Sequence, residues 1–158
     1  MKLLVAISMG IFLVGCGATN KDRVQPPIDV QVTNATAENS PLAALNRFPP
    51  RYPRQQAKVF GEGCATVEYV VSQDHQISEI KVVSASHYDF GAAAEKVIPK
   101  WDWQSLPVGT LETPIKLQTR FEYCIDDGSG RCAMPRLVAK TQCSGSDVVA
   151  SVGVVTKA

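Results

Sequence analysis

Five cysteines are the residues of this chain best suited to chemistry: Cys16, Cys64, Cys124, Cys132 and Cys143. A thiol can accept an acyl group, pair with another thiol or bind a metal. The metal reading is weak, because no Cys-x-x-Cys spacing occurs and His75 and His87 lie elsewhere. His75 falls in an expected hairpin turn and His87 in a loop, where solvated turn residues are the simpler account. No nucleophile-elbow pattern frames a serine, and Glu62 and Glu68 have no partner carboxylate at catalytic spacing. Asp126-Asp127-Gly128-Ser129-Gly130 begins like a calcium loop but lacks the later ligands, so it reads as an exit turn. Asn34-Ala35-Thr36 matches a glycosylation acceptor by chance. Neither catalytic residues, nor a metal, nor a cofactor is expected, and the chain does not read as an enzyme.

The elements that would position these thiols follow from periodicity. Val67, Tyr69 and Val71 alternate with Thr66, Glu68 and Ser72 as in a half-buried strand. Asp74 and Gln76 suit a turn, and Ile80 and Val82 extend a second strand, so 63–84 reads as a hairpin. Asp89 is the expected N-cap of a short helix with Phe90, Ala93, Ala94 and Val97 on one face. Pro99 ends it. Trp101 reads as a core anchor, and Trp103 as either core or a ligand stacker. Leu117, Thr119, Phe121, Tyr123 and Ile125 then alternate with Gln118, Arg120, Glu122 and Cys124. The expected fold is α+β: a small β-β-α-β domain, with an antiparallel sheet and one helix packed on one face.

Strand order and register follow from geometry. A helical crossover leaves the second and third strands pointing the same way, so an all-antiparallel sheet needs the first strand between them, in the order 2-1-3. Glu68 would then face Arg120, Thr66 would face Glu122, and Val67 would meet Phe121 on the helix-covered face. The same register brings Cys64 near Cys124. Those two are expected to form one bridge, and Cys132 and Cys143 a second within the tail.

The N-terminus carries a separate signal. Lys2 precedes an apolar run, 3–14, too short to span a bilayer and suited to a signal-peptide core. It ends Leu13-Val14-Gly15-Cys16, which resembles the lipobox of bacterial lipoproteins. The resemblance implies cleavage after residue 15 and acylation of Cys16, palmitate included, with two or three chains giving a stable anchor. An ordinary cleaved signal and a short uncleaved anchor are the alternatives. Gly17 follows where an aspartate would signal retention in the inner membrane, so the protein is expected on the outer membrane, facing the periplasm. With Cys16 acylated, four cysteines remain for an oxidising compartment.

Residues 1–15 thus read as signal peptide, 16–47 as the lipidated cysteine and a flexible tether, 48–126 as the domain and 127–158 as a tail that a disulfide can close. A short strand is expected at 28–32 and one helical turn at 42–45. The tether, if flexible, would average roughly 30 Å end to end. Sixteen Lys and Arg against fifteen Asp and Glu leave no basic footprint for nucleic acid.

The order Pro50-Arg51-Tyr52-Pro53, Gly61-Glu62-Gly63, hairpin, alanine-rich helix, Trp101 and Trp103, then the final alternating run resembles the C-terminal domain of TonB-type energy transducers. These bind outer-membrane transporters in the periplasm. The resemblance implies that the last strand is an exposed edge, to which a transporter's N-terminal segment adds as a further strand. Here that edge is 115–125, with Ile115, Leu117, Gln118, Thr119, Arg120 and Phe121 as its binding residues. The implied partner is an outer-membrane TonB-dependent transporter or another envelope protein. An open edge also permits a strand-exchanged homodimer. The other reading is a structural envelope lipoprotein that uses the fold for oligomerisation or cell-wall attachment. Val148 and the residues after it are apolar enough to cover that edge from within the chain.

Overall fold

A computed structural model of the chain describes residues 32–33, 42 and 44–154. The expected signal peptide, Cys16 and most of the tether lie outside the described residues. The elements are β1 (Val32–Thr33), α1 (Arg54–Lys58), β2 (Gly63–Val71), β3 (Ile77–Ala85), α2 (Tyr88–Val97), β4 (Ile115–Asp126), α3 (Met134–Val138) and β5 (Val148–Val154). The class is α+β, as read from the sequence. Among the described residues, no helix is long and apolar enough to cross a membrane.

The hairpin forms where alternation put it. Its turn closes because the Gln76 amide donates to Ser72 Oγ at 3.0 Å and the Ser72 amide donates to the Gln76 carbonyl, also at 3.0 Å. His75 takes a left-handed φ of 58° in this turn and is buried, contrary to the solvated position expected for it. The helix-capping residue also differs. His87, not Asp89, is the N-cap: its Nδ1 accepts the Asp89 amide at 3.2 Å. Asp89 instead sits in the first turn, where its charge suits the helix dipole. Pro99 follows α2 inside a 3-10 turn, Ile98–Lys100.

The main core lies between α2 and one face of the sheet. Val67, Tyr69, Val71, Leu117, Phe121 and Tyr123 meet Phe90, Ala94 and Val97 there. The Phe90 and Tyr123 rings stack at 4.5 Å, and Tyr69 stands edge-on to both Trp101 and Trp103. Both tryptophans are core residues, with their indole N–H groups donating to the Phe48 and Ile98 carbonyls. Each buried aromatic contributes about 2–3 kcal/mol by leaving water. Gly63 lets Phe90 approach, since a Cβ there would stand 2.8 Å from that ring.

Strands β3, β2 and β4 lie side by side in that order, which is the antiparallel part of the expected arrangement. The expected edge is not an edge. β5 pairs with β4 from Arg120 to Asp126, and β1 pairs at Lys116 and Leu117, both in parallel. The all-antiparallel sheet, the 2-1-3 order with β4 outermost and the open edge are therefore corrected.

The register is corrected too. Glu68 faces Gln118, Thr66 faces Arg120 and Cys64 faces Glu122, while Val67 faces Thr119. The expected register was two residues away. A two-residue slip keeps every side chain on its own face, so alternation could not separate the two. Val67 and Phe121 do share the helix-covered face.

The second face of the sheet is also covered. Cys64, Thr66, Arg120, Glu122 and Cys124 point away from α2, and all are buried. The segment 127–147, read as a tail, lies over them. Its bridges join Cys64 to Cys143 and Cys124 to Cys132, and so replace the expected Cys64–Cys124 and Cys132–Cys143 pairs. The expected pairing treated the tail as separate from the sheet, whereas the tail supplies both partners.

Candidate functional site

The outer side of β4 is the site that the sequence singled out. The Arg120 amide donates to the Asp147 carbonyl at 2.8 Å, which fixes which way the backbone points. Backbone groups alternate along a strand, so Gln118 and Arg120 direct theirs outward and Thr119 and Phe121 direct theirs toward β2. Ile115 is half-buried against the core, and Leu117 and Phe121 are fully buried in it. Gln118 Nε2 donates to Glu68 Oε1 at 3.1 Å. The structure therefore places all six expected edge residues in one strand, with Arg120 and Phe121 paired to β5.

Thr119 opens onto a buried polar socket. Its hydroxyl donates to Asp147 Oδ2 at 2.7 Å. Tyr69 lies 3.0 Å from the same hydroxyl and, with the threonine proton committed to Asp147, acts as the donor. Arg47 Nη1 reaches both carboxylate oxygens of Asp147, at 2.7 and 2.6 Å. The Arg47 guanidinium also stands over the Trp101 ring, 5.7 Å from its centroid. Asp147 is 0% exposed and immediately precedes β5. Burial pushes the Tyr69 hydroxyl pKa upward, so it remains a donor throughout the physiological range.

Arg120 serves the opposite layer. Its Nη1 donates to the Lys140 and Cys143 carbonyls at 2.8 and 3.1 Å, and its Nη2 to those of Val138 and Leu137 at 2.9 and 3.3 Å. One guanidinium thus gathers the end of α3 and the chain after it onto the sheet. Its Nε lies 3.2 Å from Glu122 Oε1, an ion-pair contact without hydrogen-bond alignment. Burial pushes the Glu122 carboxyl pKa up, and Arg120 and Lys140 pull it partly back.

Along the far side of β5, Ser151 donates to the Pro50 carbonyl at 2.9 Å. Tyr52 donates to the Gly61 carbonyl at 2.6 Å, and burial followed by the charge of Glu62 pushes its pKa up to about 12. Among the described residues, one carboxylate–cysteine grouping has metal-like spacing: Glu62, Cys124 and Cys132. Both thiols are consumed in their bridge, and Glu62 accepts from the Ile125 amide and Arg131. That leaves no ligand set.

Sequence reasoning missed Arg47, Tyr69 and Asp147 as members of this site. A usable signal was present in an acidic residue, Asp147, standing directly ahead of an apolar run.

Residues 49–125 match the family described as Gram-negative bacterial TonB protein C-terminal. Among solved structures, a solution NMR structure of the Pseudomonas aeruginosa TonB CTD is similar at 22% identity with a TM-score of 0.43, over 49% of this chain and 81% of that chain. None of the curated proteins compared matches the chain.

Proposed function

Residues 49–125 belong to the TonB C-terminal family, and on that premise we propose that the chain is a TonB-like envelope protein that grips extended segments of outer-membrane transporters, or of other envelope proteins, by strand addition to β4. In this reading Cys16 carries the lipid, the domain faces the periplasm and the anchor lies in the outer membrane. One observation supports it most directly. From Arg120 to Asp126 the outer backbone of β4 already accepts a seven-residue extended strand, so this edge can pair with an added strand. Main-chain hydrogen bonds supply affinity in that mode, and alternate side chains supply selectivity. Because β5 holds the edge, an incoming segment must take its place.

The same observation gives the structural-lipoprotein reading its standing, since a permanently filled edge would bind no segment. Titrating peptides from transporter N-termini into the isotopically labelled chain separates the two. Shifts of β4 amides, together with those of the displaced β5, are expected in the wild type or in a variant with β5 loosened by Val149→Pro. No shift in either form defeats strand addition and leaves the structural role.

A further inference from the structure

A helix normally keeps its place by packing an apolar face, yet α1 has no buried residue. One tie to the domain is Gln56, which donates to Asp89 Oδ2 at 3.0 Å and lies 3.1 Å from His87 Nδ1. Successive helical residues turn by about 100°, so Arg54 and Lys58 stand on the side opposite Gln56. Between Glu38 and Glu62 the sequence holds Arg47, Arg51, Arg54 and Lys58 and no acid. Arg47 is committed to Asp147. Arg51, Arg54 and Lys58 are exposed and make no ion pair among the described residues.

The end of α1 carries a second, independent observation. The Gly61 amide donates to the Gln56 carbonyl at 2.8 Å and the Phe60 amide to the Ala57 carbonyl at 3.3 Å, the paired bonds of a Schellman motif. That motif needs a left-handed residue at position 60, where glycine fits at least cost, and Phe60 takes it with a φ of 53°. A bulky aromatic is strained there. Its side chain gains little from the domain in return, because Phe60 is 63% exposed and Val59 beside it 70%. The fold thus gives no reason for an aromatic at this place. Three unpaired cations call for an anionic partner, and two adjoining apolar side chains call for one with an apolar interior.

We propose that α1 and its two flanks form a membrane-surface contact, in which Arg51, Arg54 and Lys58 meet the phosphates of an anionic phospholipid bilayer while Val59 and Phe60 enter the boundary between headgroups and acyl chains. A lipid surface offers both chemistries in adjacent layers and needs no shaped pocket, which suits a helix lying on the outside of the fold. An acidic protein segment would satisfy the cations and leave Val59 and Phe60 in water. The stems of Arg and Lys lie readily along apolar surface with their charge at the phosphate level. Tyr88, also exposed, directly precedes the Asp89 that Gln56 holds, so it adds an amphipathic ring beside α1. The contact fixes which side of the domain faces the bilayer. It is independent of the strand-addition reading, because β4 takes no part in it.

The test uses the full, oxidised chain with a reporter at the contact. Trp101 and Trp103 are buried in the core, out of reach of a quencher carried by lipid. Phe60→Trp and, separately, Val59→Trp place an indole at the proposed depth. The probes are vesicles of brominated phosphatidylcholine mixed with phosphatidylglycerol, and vesicles of brominated phosphatidylcholine alone. Both reporters are expected to shift blue and to be quenched on the anionic vesicles, and to need at least about tenfold more lipid on the zwitterionic ones. Adding Arg51→Gln, Arg54→Gln and Lys58→Gln should weaken the anionic response by roughly fivefold per charge, or about a hundredfold together. Every chain carries the same N-terminus, so binding through it alone gives equal signals with and without the three cations. Equal quenching of that kind therefore overturns the proposal. No quenching of either reporter on anionic vesicles, with circular dichroism and both bridges as in the wild type, also overturns it. Retention on immobilised polyglutamate alongside that result would assign the cations to an acidic protein segment instead.

Discussion

Arg47 and Asp147 stand one hundred positions apart and meet through two contacts of 2.7 and 2.6 Å, which fasten the start of β5 to the segment before α1. Arg47→Ala leaves a fully buried carboxylate to which the Thr119 hydroxyl still donates. The expected loss is about 2–3 kcal/mol, read from urea unfolding of the oxidised protein. Thr119→Val should cost about 1–2 kcal/mol, and the pair should be non-additive because both act on one carboxylate. A loss under about 0.5 kcal/mol for Arg47→Ala would show that the pair does not hold β5.

Peptide mapping without reductant should recover Cys64 joined to Cys143 and Cys124 joined to Cys132. The first bridge closes a separation of 79 residues and the second a separation of 8. On the chain-entropy model they stabilise by about 4–5 and about 2–3 kcal/mol. The double variant Cys64→Ser, Cys143→Ser should therefore lose more than Cys124→Ser, Cys132→Ser. The reverse ranking would mean that the second-face layer is fastened chiefly at Cys132.

Phe121 is fully buried against Trp101, so Phe121→Ala should cost about 3–5 kcal/mol in the same unfolding experiment. Glu68 is half-buried and bonded to Gln118, so Glu68→Ala should cost about 1 kcal/mol or less. Comparable losses at the two sites would show that the two faces of the sheet are wrongly assigned.

Glu122 gives a pH dependence with a definite sign. Burial raises its folded pKa above the ordinary 4.5, so the native state holds this proton more tightly than the unfolded chain. The destabilisation is absent below 4.5, sets in as pH rises toward the raised value and is complete above it. Glu122→Gln removes this term, so the variant should gain on the wild type as pH rises from 4 to 7. Parallel stability curves over that range would mean that Arg120 fully compensates the burial.

If Cys16 is the acylated residue, cells fed labelled palmitate should label the wild-type chain and not Cys16→Ser. Only the wild type should then partition into detergent. Equal labelling of both forms would remove the anchor from the functional reading.

Much of the domain was legible because short-range patterns determine it. Val67, Tyr69 and Val71, and later Leu117, Phe121 and Tyr123, reveal their buried face by alternation alone. The register was not legible for a physical reason. Glu68 and Arg120 looked like a cross-strand ion pair, but Arg120 satisfies four carbonyls of the 137–143 segment instead. The bridges failed for the same reason. Cys64 and Cys124 do share a face, yet each pairs with a cysteine of the layer laid over that face. β5 was recognised as strand-forming, but a parallel pairing after a disulfide-stapled connection leaves no local signature. Asp147 was missed because a lone aspartate in a Ser/Gly-rich stretch reads as a solvated turn.

The bridge at Cys143 has a kinetic and thermodynamic consequence for any partner. It pins the chain four positions before Asp147, so β5 faces its own edge at an effective concentration in the millimolar range or above. A free segment making the same contacts would have to exceed that local concentration to capture the edge half the time. A partner held at the same membrane surface, or one whose contacts continue past Asp126, escapes that handicap. The staple therefore sets a threshold that favours partners already confined beside the domain over segments diffusing past it.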